Sequence, residues 1–376
     1  MDSRWDIFCK VVDNFGDAGV TWRLARQLAN EQGLAVRLWI DDLTAFARLC
    51  PDADPLARTQ VRAGVQVCQW PEPWEDTPTA TVVIEAFGCK LPGPYQARLA
   101  ATATPALWVN LDYLSAETWV GGCHGLPSLG CGSVRKFFFF PGFRSDTGGL
   151  LREAGLLERR DAFQASRAAR DAFLRGLNVS PAPEARLLSL FAYENDGLTG
   201  WLEALAAAPR LTHLLVPEGR VLANLETWAQ ARVGAGDCIR RGGLTVQVVP
   251  FVSQEAYDQL LWACDFNAVR GEDSFVRAQW AARPMLWHIY RQDEYAHWEK
   301  LEAFLELYTE GLPGAASEAL RGLWRSWNMD GDMASAWAAV EPHWDELQSH
   351  ARQWCAGLAA RPDLATALVQ FCRNSL

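Results

Sequence analysis

The sequence has no long run of lysine or arginine and carries a formal net charge of −10 over 376 residues. This balance argues against a partner such as duplex nucleic acid, because that affinity comes largely from neutralising phosphates. No apolar run reaches about 18 residues, so no membrane-spanning segment is predicted. The first ten residues are charged from the start and lack the apolar stretch of a secretory signal. We therefore expect a cytoplasmic protein whose ligand is a small molecule or another protein.

No two of the ten cysteines form a CxxC pair, and most of them lie in apolar segments. Such cysteines are typical of reduced thiols in a cytoplasmic protein rather than of disulfides. Cys123, His124 and Cys131 lie close together in the sequence, but their spacing matches no common zinc site and a fourth ligand is missing. We expect no metal.

What the sequence contains instead is a repeated alternation of short apolar strands and amphipathic helices. This alternation predicts the α/β class, with one Rossmann-like domain over residues 1–150 and a second over 184–345. A charged helical stretch that ends in a Pro-rich break predicts an interdomain linker at 151–183. The helical residues 346–376 are expected to pack back on the first domain. The glycine motifs GxGxxG and GxxxxGKS/T are both missing, so the default site is a cleft between the carboxyl ends of the two sheets.

The turn after the first predicted strand is acidic. It reads VVDNFGDAGVTWRLARQLA and places Asp13 and Asp17 where a phosphate-binding loop has glycines. Two carboxylates repel a diphosphate, so the partner of this turn is predicted to be a cation or a proton donor. The helix dipole and nearby backbone N–H groups favour the ionised form of Asp17, which suits a hydrogen-bond acceptor or a general base. The alternative is structural: Asp17 caps the helix and Asp13 forms an Asx-turn, and both roles can hold at once.

The stretch VRGEDSF, from Arg270 to Phe275, lies between a predicted strand and a helix. Backbone N–H groups near Asp273 and Ser274 would point into the cleft and, with the Arg270 guanidinium, bind an anion such as a diphosphate. The alternative is an ordinary helix N-cap, where Asp and Ser are favoured residues.

Further candidates follow other strands of the second domain. We expect Phe251 or Tyr193 to stack on a nucleotide base and Gln254 to read the edge of that base. Tyr290 and Gln292 follow a later strand and are expected to contact the same ligand. The alternative is that the aromatic residues belong to the core or to the ordinary surface.

Two more sets of residues have structural alternatives. Arg23, Arg26 and Arg37 form a candidate basic patch for a protein partner, with a solvated face as the alternative. His288 and His297 flank a strand-to-helix turn and are expected to be structural.

Four strings carry a resemblance to a known family: SRWDIFCKVVDNFGDAGVTWRLARQLA, CHGLPS, FFFPGF with the following TGGLLRE, and VRGEDSFVRAQWA. Together they resemble the EarP family, bacterial protein-arginine rhamnosyltransferases that modify translation elongation factor P (EF-P). The resemblance runs over nearly the whole chain. It implies a GT-B glycosyltransferase with two Rossmann-like domains facing a cleft, the nucleotide-sugar in the C-terminal domain and the acceptor protein on the N-terminal one.

The resemblance also implies the reaction. The donor is dTDP-β-L-rhamnose, the acceptor is one arginine at the tip of an EF-P loop, the anomeric centre is inverted, and neither a metal nor a cofactor is needed. EF-P modified in this way is active in the rescue of stalled ribosomes. Two alternatives stay open: a GT-B-like nucleotide-sugar 2-epimerase without an acceptor protein, and a non-catalytic nucleotide-sugar-binding module.

By the same resemblance, the functional residues of the family fall on matching positions of this sequence. The acidic pair falls on Asp13 and Asp17, with Asp17 as the general base. The third catalytic position, the glutamate near the donor, falls on Glu272, which would either bind the sugar hydroxyls or help to hold the acceptor guanidinium. The contacts to dTDP-rhamnose fall on Tyr193, Phe251, Gln254, Arg270, Glu272, Asp273, Ser274, Tyr290 and Gln292.

Overall fold

The computed structural model describes residues 4–12, 15–102, 106–128, 134–291 and 296–376. The chain forms two compact units, Met1–Ala154 with Leu358–Leu376 and Gly155–Gly357. Each unit is built around one open sheet in which most neighbouring strands are parallel.

The strands, in chain order, are β1 (Arg4–Cys9), β2 (Ala35–Ile40), β3 (Thr59–Arg62), β4 (Val65–Gln69), β5 (Val82–Ala86), β6 (Leu107–Leu111), β7 (Pro127–Ser128), β8 (Arg135–Phe139), β9 (Arg186–Leu190), β10 (Thr212–Pro217), β11 (Cys238–Arg241), β12 (Leu244–Val249), β13 (Phe266–Arg270) and β14 (Met285–His288). The helices are α1 (Gly16–Asn30), α2 (Leu43–Leu49), α3 (Gly93–Ala101), α4 (Trp119–Cys123), α5 (Leu156–Ala165), α6 (Arg167–Gly176), α7 (Leu198–Ala207), α8 (Leu222–Ala229), α9 (Gln254–Ala263), α10 (Asp273–Ala281), α11 (Ala296–Tyr308), α12 (Gly314–Asn328), α13 (Met333–Val340), α14 (Trp344–Ala359) and α15 (Leu364–Ser375).

The first sheet has the strand order β3-β4-β2-β1-β5-β6-β8-β7. β1 lies inside it and pairs in parallel with β2 on one side and β5 on the other, while β3 and β7 are antiparallel additions at the edges. Ile7, Phe8 and Cys9 of β1 are fully buried, as is typical of a parallel sheet covered on both faces. The strand order reverses between β1 and β5, which makes that point of the carboxyl edge the expected ligand crevice.

The second sheet repeats this arrangement with the order β11-β12-β10-β9-β13-β14. β9 pairs in parallel with β10 and with β13, and β11 is the antiparallel edge strand. The strand order therefore reverses between β9 and β13. The prediction of an α/β fold with two Rossmann-like domains is confirmed.

Two helical segments connect the units in sequence. Residues 151–183, expected as a linker, form α5 and α6, which belong to the second unit and pack against α9. Of the residues 346–376, those from Leu358 onward belong to the first unit, while most of α14 belongs to the second. In the first unit α15 contacts α1, and the Gln27 amide of α1 donates to Asp363 at 3.0 Å.

The three arginines considered as a basic patch do not form one. Arg23 is 2% exposed and pairs with Glu153 at 3.2 Å, and Arg37 is 6% exposed. Arg26 lies over Trp22, with its guanidinium carbon 5.2 Å from the ring centroid. Neither a basic patch nor a solvated face describes Arg23 and Arg37, because both guanidinium groups have carboxylate partners inside the unit.

A buried ion pair joins β1 to β2. The Asp6 carboxylate is fully buried and accepts hydrogen bonds from Arg37 Nε at 2.7 Å and Nη2 at 2.5 Å. The Tyr95 hydroxyl of α3 donates to the same carboxylate at 2.6 Å, and burial together with the Asp6 charge raises the pKa of Tyr95. A charge inside a protein is stable only with such partners. These donors therefore hold β1, β2 and α3 in one arrangement.

We expect Asp6→Ala to lower the free energy of unfolding by about 3–5 kcal/mol, because it leaves the Arg37 guanidinium buried without its carboxylate. Glu75→Ala is the control: it removes the exposed partner of Arg58 and should cost less than about 1 kcal/mol. Urea-induced unfolding followed by tryptophan fluorescence measures both changes. Equal losses would contradict a special contribution of the buried pair.

Candidate active site

Asp17 lies at the crevice of the first sheet, in the connection between β1 and α1. It is the second residue of α1 and is 4% exposed. Its Oδ2 accepts a hydrogen bond from the Val12 backbone N–H at 2.9 Å, and the neighbouring Val11 N–H donates to Asp41 Oδ1 at 2.9 Å. The N-cap of α1 is Phe15, so the prediction that Asp17 is the N-cap is wrong. Two carboxylates, Asp17 in the first turn of α1 and Asp41 after β2, therefore hold the backbone of this turn.

The surroundings of Asp17 favour its anionic form. The residue lies in the first turn of a 15-residue helix, where the helix dipole stabilises negative charge. Burial, with added repulsion from Asp17, raises the pKa of the nearby Cys9 thiol well above its usual range, although a hydrogen bond with Thr21 opposes the shift. The Cys9 thiol is therefore poorly suited to act as an acid–base group in this turn. Asp13 lies outside the described residues.

Arg270 lies at the crevice of the second sheet as the last residue of β13. Its guanidinium carbon is 4.6 Å from the ring centroids of both Phe191 and Tyr193, which follow β9. The Arg270 N–H donates to Ser274 Oγ at 3.1 Å, and the Ser274 hydroxyl donates to the Arg270 carbonyl. Two aromatic rings thus flank the guanidinium, and one hydroxyl holds the backbone of the same residue, at the point where the strand order reverses.

Tyr193, which follows β9, contacts aromatic residues at the end of β14. Its ring meets His288 edge-on at 5.2 Å and Tyr290 at 5.6 Å between centroids. The Arg220 guanidinium carbon lies 5.6 Å from the centroid of the same ring. Tyr290 is 42% exposed, so the aromatic group extends from the buried edge to the surface.

The amino ends of α9 and α10 meet beside Arg270. Gln254, the first residue of α9, donates from Nε2 to Asp273 Oδ2 at 3.3 Å, and Asp273 is the first residue of α10. One turn further along, Arg277 makes a bidentate pair with Asp258, at 2.8 Å from Nε and 2.7 Å from Nη2. This buried pair fixes the two helices, and thereby the side chains at their tips.

In VRGEDSF neither Asp273 nor Ser274 is the N-cap that the structural alternative expects, although Asp273 is an acidic residue in the first turn of α10, as that alternative also expects. The N-cap of α10 is Glu272, and its side chain makes no capping hydrogen bond. Asp273 accepts from Gln254, and the Ser274 hydroxyl donates to the Arg270 carbonyl. The polar side chains of this turn therefore bond to Gln254 and to the end of β13 and do not cap the amino end of α10.

Phe251 follows β12 on the other side of β9 and is half-buried. Its backbone N–H donates to Glu218 Oε2 at 3.3 Å, and Glu218 follows β10. The structure therefore places Phe251 at the same carboxyl edge as Tyr193 and Arg270. Gln292 lies outside the described residues.

Three arginines lie at the carboxyl edge of the second sheet: Arg270, Arg220, which pairs with Glu194, and Arg291, which pairs with Asp330. Burial, together with the charges of Arg291, Arg270 and Arg220, lowers the pKa of His288 to about 3. Burial opposes ionisation of Glu194, but its hydrogen bond from Arg220 and the charge of Arg270 hold its pKa below the usual range. An anion at this edge would find several positive charges. His288 and His297 are both buried, as expected of structural histidines.

Phe191, Glu218 and Arg220 also lie at this edge, and the sequence analysis did not predict them as site residues. Phe191 lies two residues before Tyr193, and the other two occur in the PEGR string directly after β10. Their positions directly after predicted strands could have indicated them, because residues that follow parallel strands share one edge of the sheet. The sequence alone does not show which of these strands are neighbours in the sheet.

The described ranges of the chain contain no group of three His, Cys, Asp or Glu residues close enough to hold a metal ion. His124 Nδ1 accepts from the Phe140 N–H at 3.0 Å, and Cys131 lies outside the described residues. No described helix is both long and apolar enough to cross a bilayer.

Residues 5–373 match the model of the family described as Elongation-Factor P (EF-P) rhamnosyltransferase EarP. A protein-arginine rhamnosyltransferase of Pseudomonas putida is 63% identical over 377 residues, which cover 100% of both chains. A solved structure that concerns EarP-mediated arginine glycosylation of translation elongation factor EF-P is 50% identical, covers 99% of each chain and has a TM-score of 0.73. The complex of S. aureus MnaA with UDP covers 100% of this chain and 98% of its own, with a TM-score of 0.53 at 10% identity, which indicates a shared fold alone. The predicted GT-B fold is confirmed.

We expect the His288 imidazole to stay neutral from pH 8 to pH 5, because its pKa of about 3 lies far below this range. Carbon-13 NMR of labelled histidine measures the protonation state directly. The unfolded chain binds a proton at this residue near pH 6.5 and the folded chain does not, so the free energy of unfolding contributed by His288 falls as the pH drops below about 6.5. A titration midpoint near pH 6.5 in the folded protein would contradict burial of this ring among the arginines.

Proposed function

The chain belongs to the EarP family, and we propose that it transfers L-rhamnose from dTDP-β-L-rhamnose to one arginine of EF-P with inversion at the anomeric carbon. The enzyme is a protein-arginine rhamnosyltransferase, which argues against the alternatives of a 2-epimerase and a non-catalytic binding module. EF-P as the acceptor is supported by the solved relative that concerns arginine glycosylation of EF-P. Because modified EF-P acts on stalled ribosomes, we assign the reaction to the cytoplasm.

The observation that carries the donor assignment is the cation between two aromatic rings at the end of β13. Arg270 lies 4.6 Å from the centroids of Phe191 and Tyr193, with the positive charges of Arg220 and Arg291 nearby. A nucleoside diphosphate joins two phosphates to a flat base, so it needs both positive charge and aromatic surface. In this proposal the nucleotide base stacks on Tyr193 or Phe251, and the edge of the base forms hydrogen bonds with the Gln254 amide.

Departure of dTDP requires stabilisation of the negative charge that develops on the diphosphate. The Arg270 guanidinium and the N–H groups of the first turn of α10, around Asp273 and Ser274, supply it in this proposal. This is the task that a divalent ion performs in other transferases, and we propose that no metal is used. Glu272 belongs to the same edge, which favours binding of the sugar hydroxyls over a role on the acceptor.

The acceptor arginine is a poor nucleophile because its guanidinium is planar, delocalised and protonated at ordinary pH. We propose that Asp17 accepts hydrogen bonds from it and holds one terminal nitrogen against the anomeric carbon. The new carbon–nitrogen bond forms on the face opposite the diphosphate, and the bond from the anomeric carbon to the phosphate oxygen breaks with its electron pair. One proton passes from the attacking nitrogen to the Asp17 carboxylate. Asp13 is proposed to share the binding of the guanidinium.

Mass spectrometry of EF-P after incubation with the enzyme and dTDP-β-L-rhamnose tests the proposal. We expect a mass gain of one deoxyhexose on a single arginine, present only with enzyme and donor, and dTDP as the other product. NMR of the glycosylated peptide then gives the anomeric configuration, which should be opposite to that of the donor. An altered free sugar nucleotide with unmodified EF-P would contradict the proposal and favour the epimerase.

We expect Asp17→Asn to abolish transfer while changing the affinity for dTDP-β-L-rhamnose by less than tenfold, about 1.4 kcal/mol. The asparagine keeps a carbonyl oxygen for the Val12 N–H and loses the basic carboxylate. Turnover by product analysis and donor affinity by calorimetry separate the two effects.

Asp41→Asn is the matched control for Asp17→Asn, because Asp41 holds the adjacent N–H of the same turn at the same distance. It should keep most of the activity. If both variants lost transfer equally, Asp17 would act only by shaping the turn.

We expect Arg270→Ala to weaken dTDP binding by at least tenfold, about 1.4 kcal/mol, because it removes the cation from the donor edge. Arg241→Ala is the control. Arg241 also lies over an aromatic ring, 4.2 Å from the Trp228 centroid, but at the opposite edge of the sheet, where β11 adjoins the start of β12. Calorimetric titration with dTDP measures both. Unchanged affinity in Arg270→Ala would assign the diphosphate to another site.

A further inference from the structure

A polar cavity of about 600 Å³ lies at the edge of the second sheet that is opposite to Arg270. Among its lining residues, Ala185 and Asp265 directly precede β9 and β13, and Arg283 lies two residues before β14. The three strands are parallel, so this edge is one strand length from the donor edge. β13 has 5 residues, which corresponds to about 17 Å at about 3.3 Å per residue.

The lining of this cavity, here called the arginine cavity, has an excess of positive charge. Its charged lining residues are Arg167, Arg170, Arg175, Arg283, Asp171 and Asp265. Four cations against two anions leave two positive charges, in a chain whose net charge is −10. The local charge is thus opposite in sign to that of the whole protein.

The two aspartates that line the arginine cavity already have partners. Asp265 Oδ2 accepts from the Leu187 N–H at 2.9 Å and lies 3.9 Å from Arg170 Nη2. Asp171 lies 3.8 Å from Arg167, which is one turn away on α6 and largely exposed. Neither carboxylate is within ion-pair distance of Arg283.

Arg283 has an unusual position for a guanidinium. Among the described residues it makes no hydrogen bond or ion pair, and its Nε is buried. Burial lowers the pKa of Arg283, the Asp265 charge opposes this shift, and the charges of Arg170 and Arg352 lower the pKa further. A half-buried cation without a partner destabilises the protein that contains it. A bound anion would remove this unfavourable charge.

The first turn of α6 also borders the arginine cavity. Ser166 is the N-cap of this ten-residue helix, and its hydroxyl oxygen accepts from the Ala169 N–H at 3.2 Å. Ser166, Arg167 and Arg170 all line the cavity. The positive end of the helix dipole therefore adds to the charge of the guanidinium groups.

We propose that the arginine cavity binds a compact multivalent anion of the phosphate or pyrophosphate class. Guanidinium groups recognise such oxyanions through paired N–H donors. None of the described residues that line the cavity is aromatic, in contrast to Phe191 and Tyr193 at the donor edge. The cavity offers no ring on which a nucleotide base would stack, so its ligand is a bare oxyanion rather than a nucleotide.

Calorimetric titration of the full-length enzyme with pyrophosphate, in the presence of saturating dTDP, tests this site with the donor edge filled. We expect one site with a dissociation constant below about 1 mM, weaker binding of phosphate, and a loss of at least tenfold in affinity for Arg283→Gln. All titrations are run at constant ionic strength with KCl, because screening weakens any charged contact. Citrate that bound as tightly as pyrophosphate would overturn the phosphate class.

Two further variants assign the anion to one edge of the sheet. Arg232→Gln removes an exposed arginine of the same unit that pairs with Glu226 at 3.3 Å, and it should keep the affinity for pyrophosphate. Arg270→Ala should keep it as well, since Arg270 lies at the other edge. Loss of pyrophosphate binding in Arg270→Ala, or unchanged affinity in Arg283→Gln, would overturn the proposal.

Thermal unfolding gives a second readout. Because no described residue pairs with the Arg283 guanidinium, Arg283→Gln should leave the Tm of the anion-free enzyme unchanged or higher. It should also remove the increase in Tm that pyrophosphate gives to the unmodified enzyme. Arg175→Gln changes an exposed position on the same cavity and should reduce that increase without affecting the fold. No increase in the unmodified enzyme, or an increase that both variants retain, would overturn the proposal.

Discussion

The reversal of strand order beside the first strand of each sheet determines where the candidate side chains lie. β1 and β9 each pair in parallel with a strand on both sides, so the loops after neighbouring strands lead away from each other and leave a crevice at the carboxyl edge. Asp17 follows β1 in one unit. Arg270 ends β13 beside Tyr193 in the other. The same topology therefore presents a carboxylate in the first unit and a guanidinium in the second.

The carboxyl edge of the first sheet carries a carboxylate and that of the second sheet carries a guanidinium. This difference suits two substrates of opposite charge. A Rossmann phosphate loop binds a diphosphate with the N–H groups of its glycines, but in the first unit Asp17 and Asp41 accept the N–H groups of Val12 and Val11. A diphosphate is repelled there and a guanidinium is attracted. In the second unit we propose that a side-chain cation, Arg270, takes over the phosphate-binding role of the glycine motif that the sequence lacks. One fold can carry many chemistries, so the side chains at the carboxyl edges, rather than the fold itself, select the substrates.

Three interpretations of charged residues from the sequence were wrong for one physical reason. Arg37 was considered for a surface patch, yet it lies inside the first unit because Asp6 meets it with paired acceptors. Asp17 and Asp273 were considered as helix caps, yet they accept from Val12 and Gln254 in other segments. Local sequence indicates that a charged residue needs a partner, but the partner comes from a distant part of the chain.

The sequence by itself determined the class of fold and the type of side chain at the end of each strand. Periodicity and residue type depend on near neighbours in the chain, so the α/β alternation, the acidic turn and the cation of VRGEDSF were all evident without a structure. Only the tertiary structure decided which strand ends are adjacent. β9 and β13 are joined through Ser189 and Asn267, whose side chains bond at 2.7 Å across 78 residues of chain, and this pairing brings Phe191 against Arg270. Strand order depends on such long-range contacts, and no local pattern encodes them.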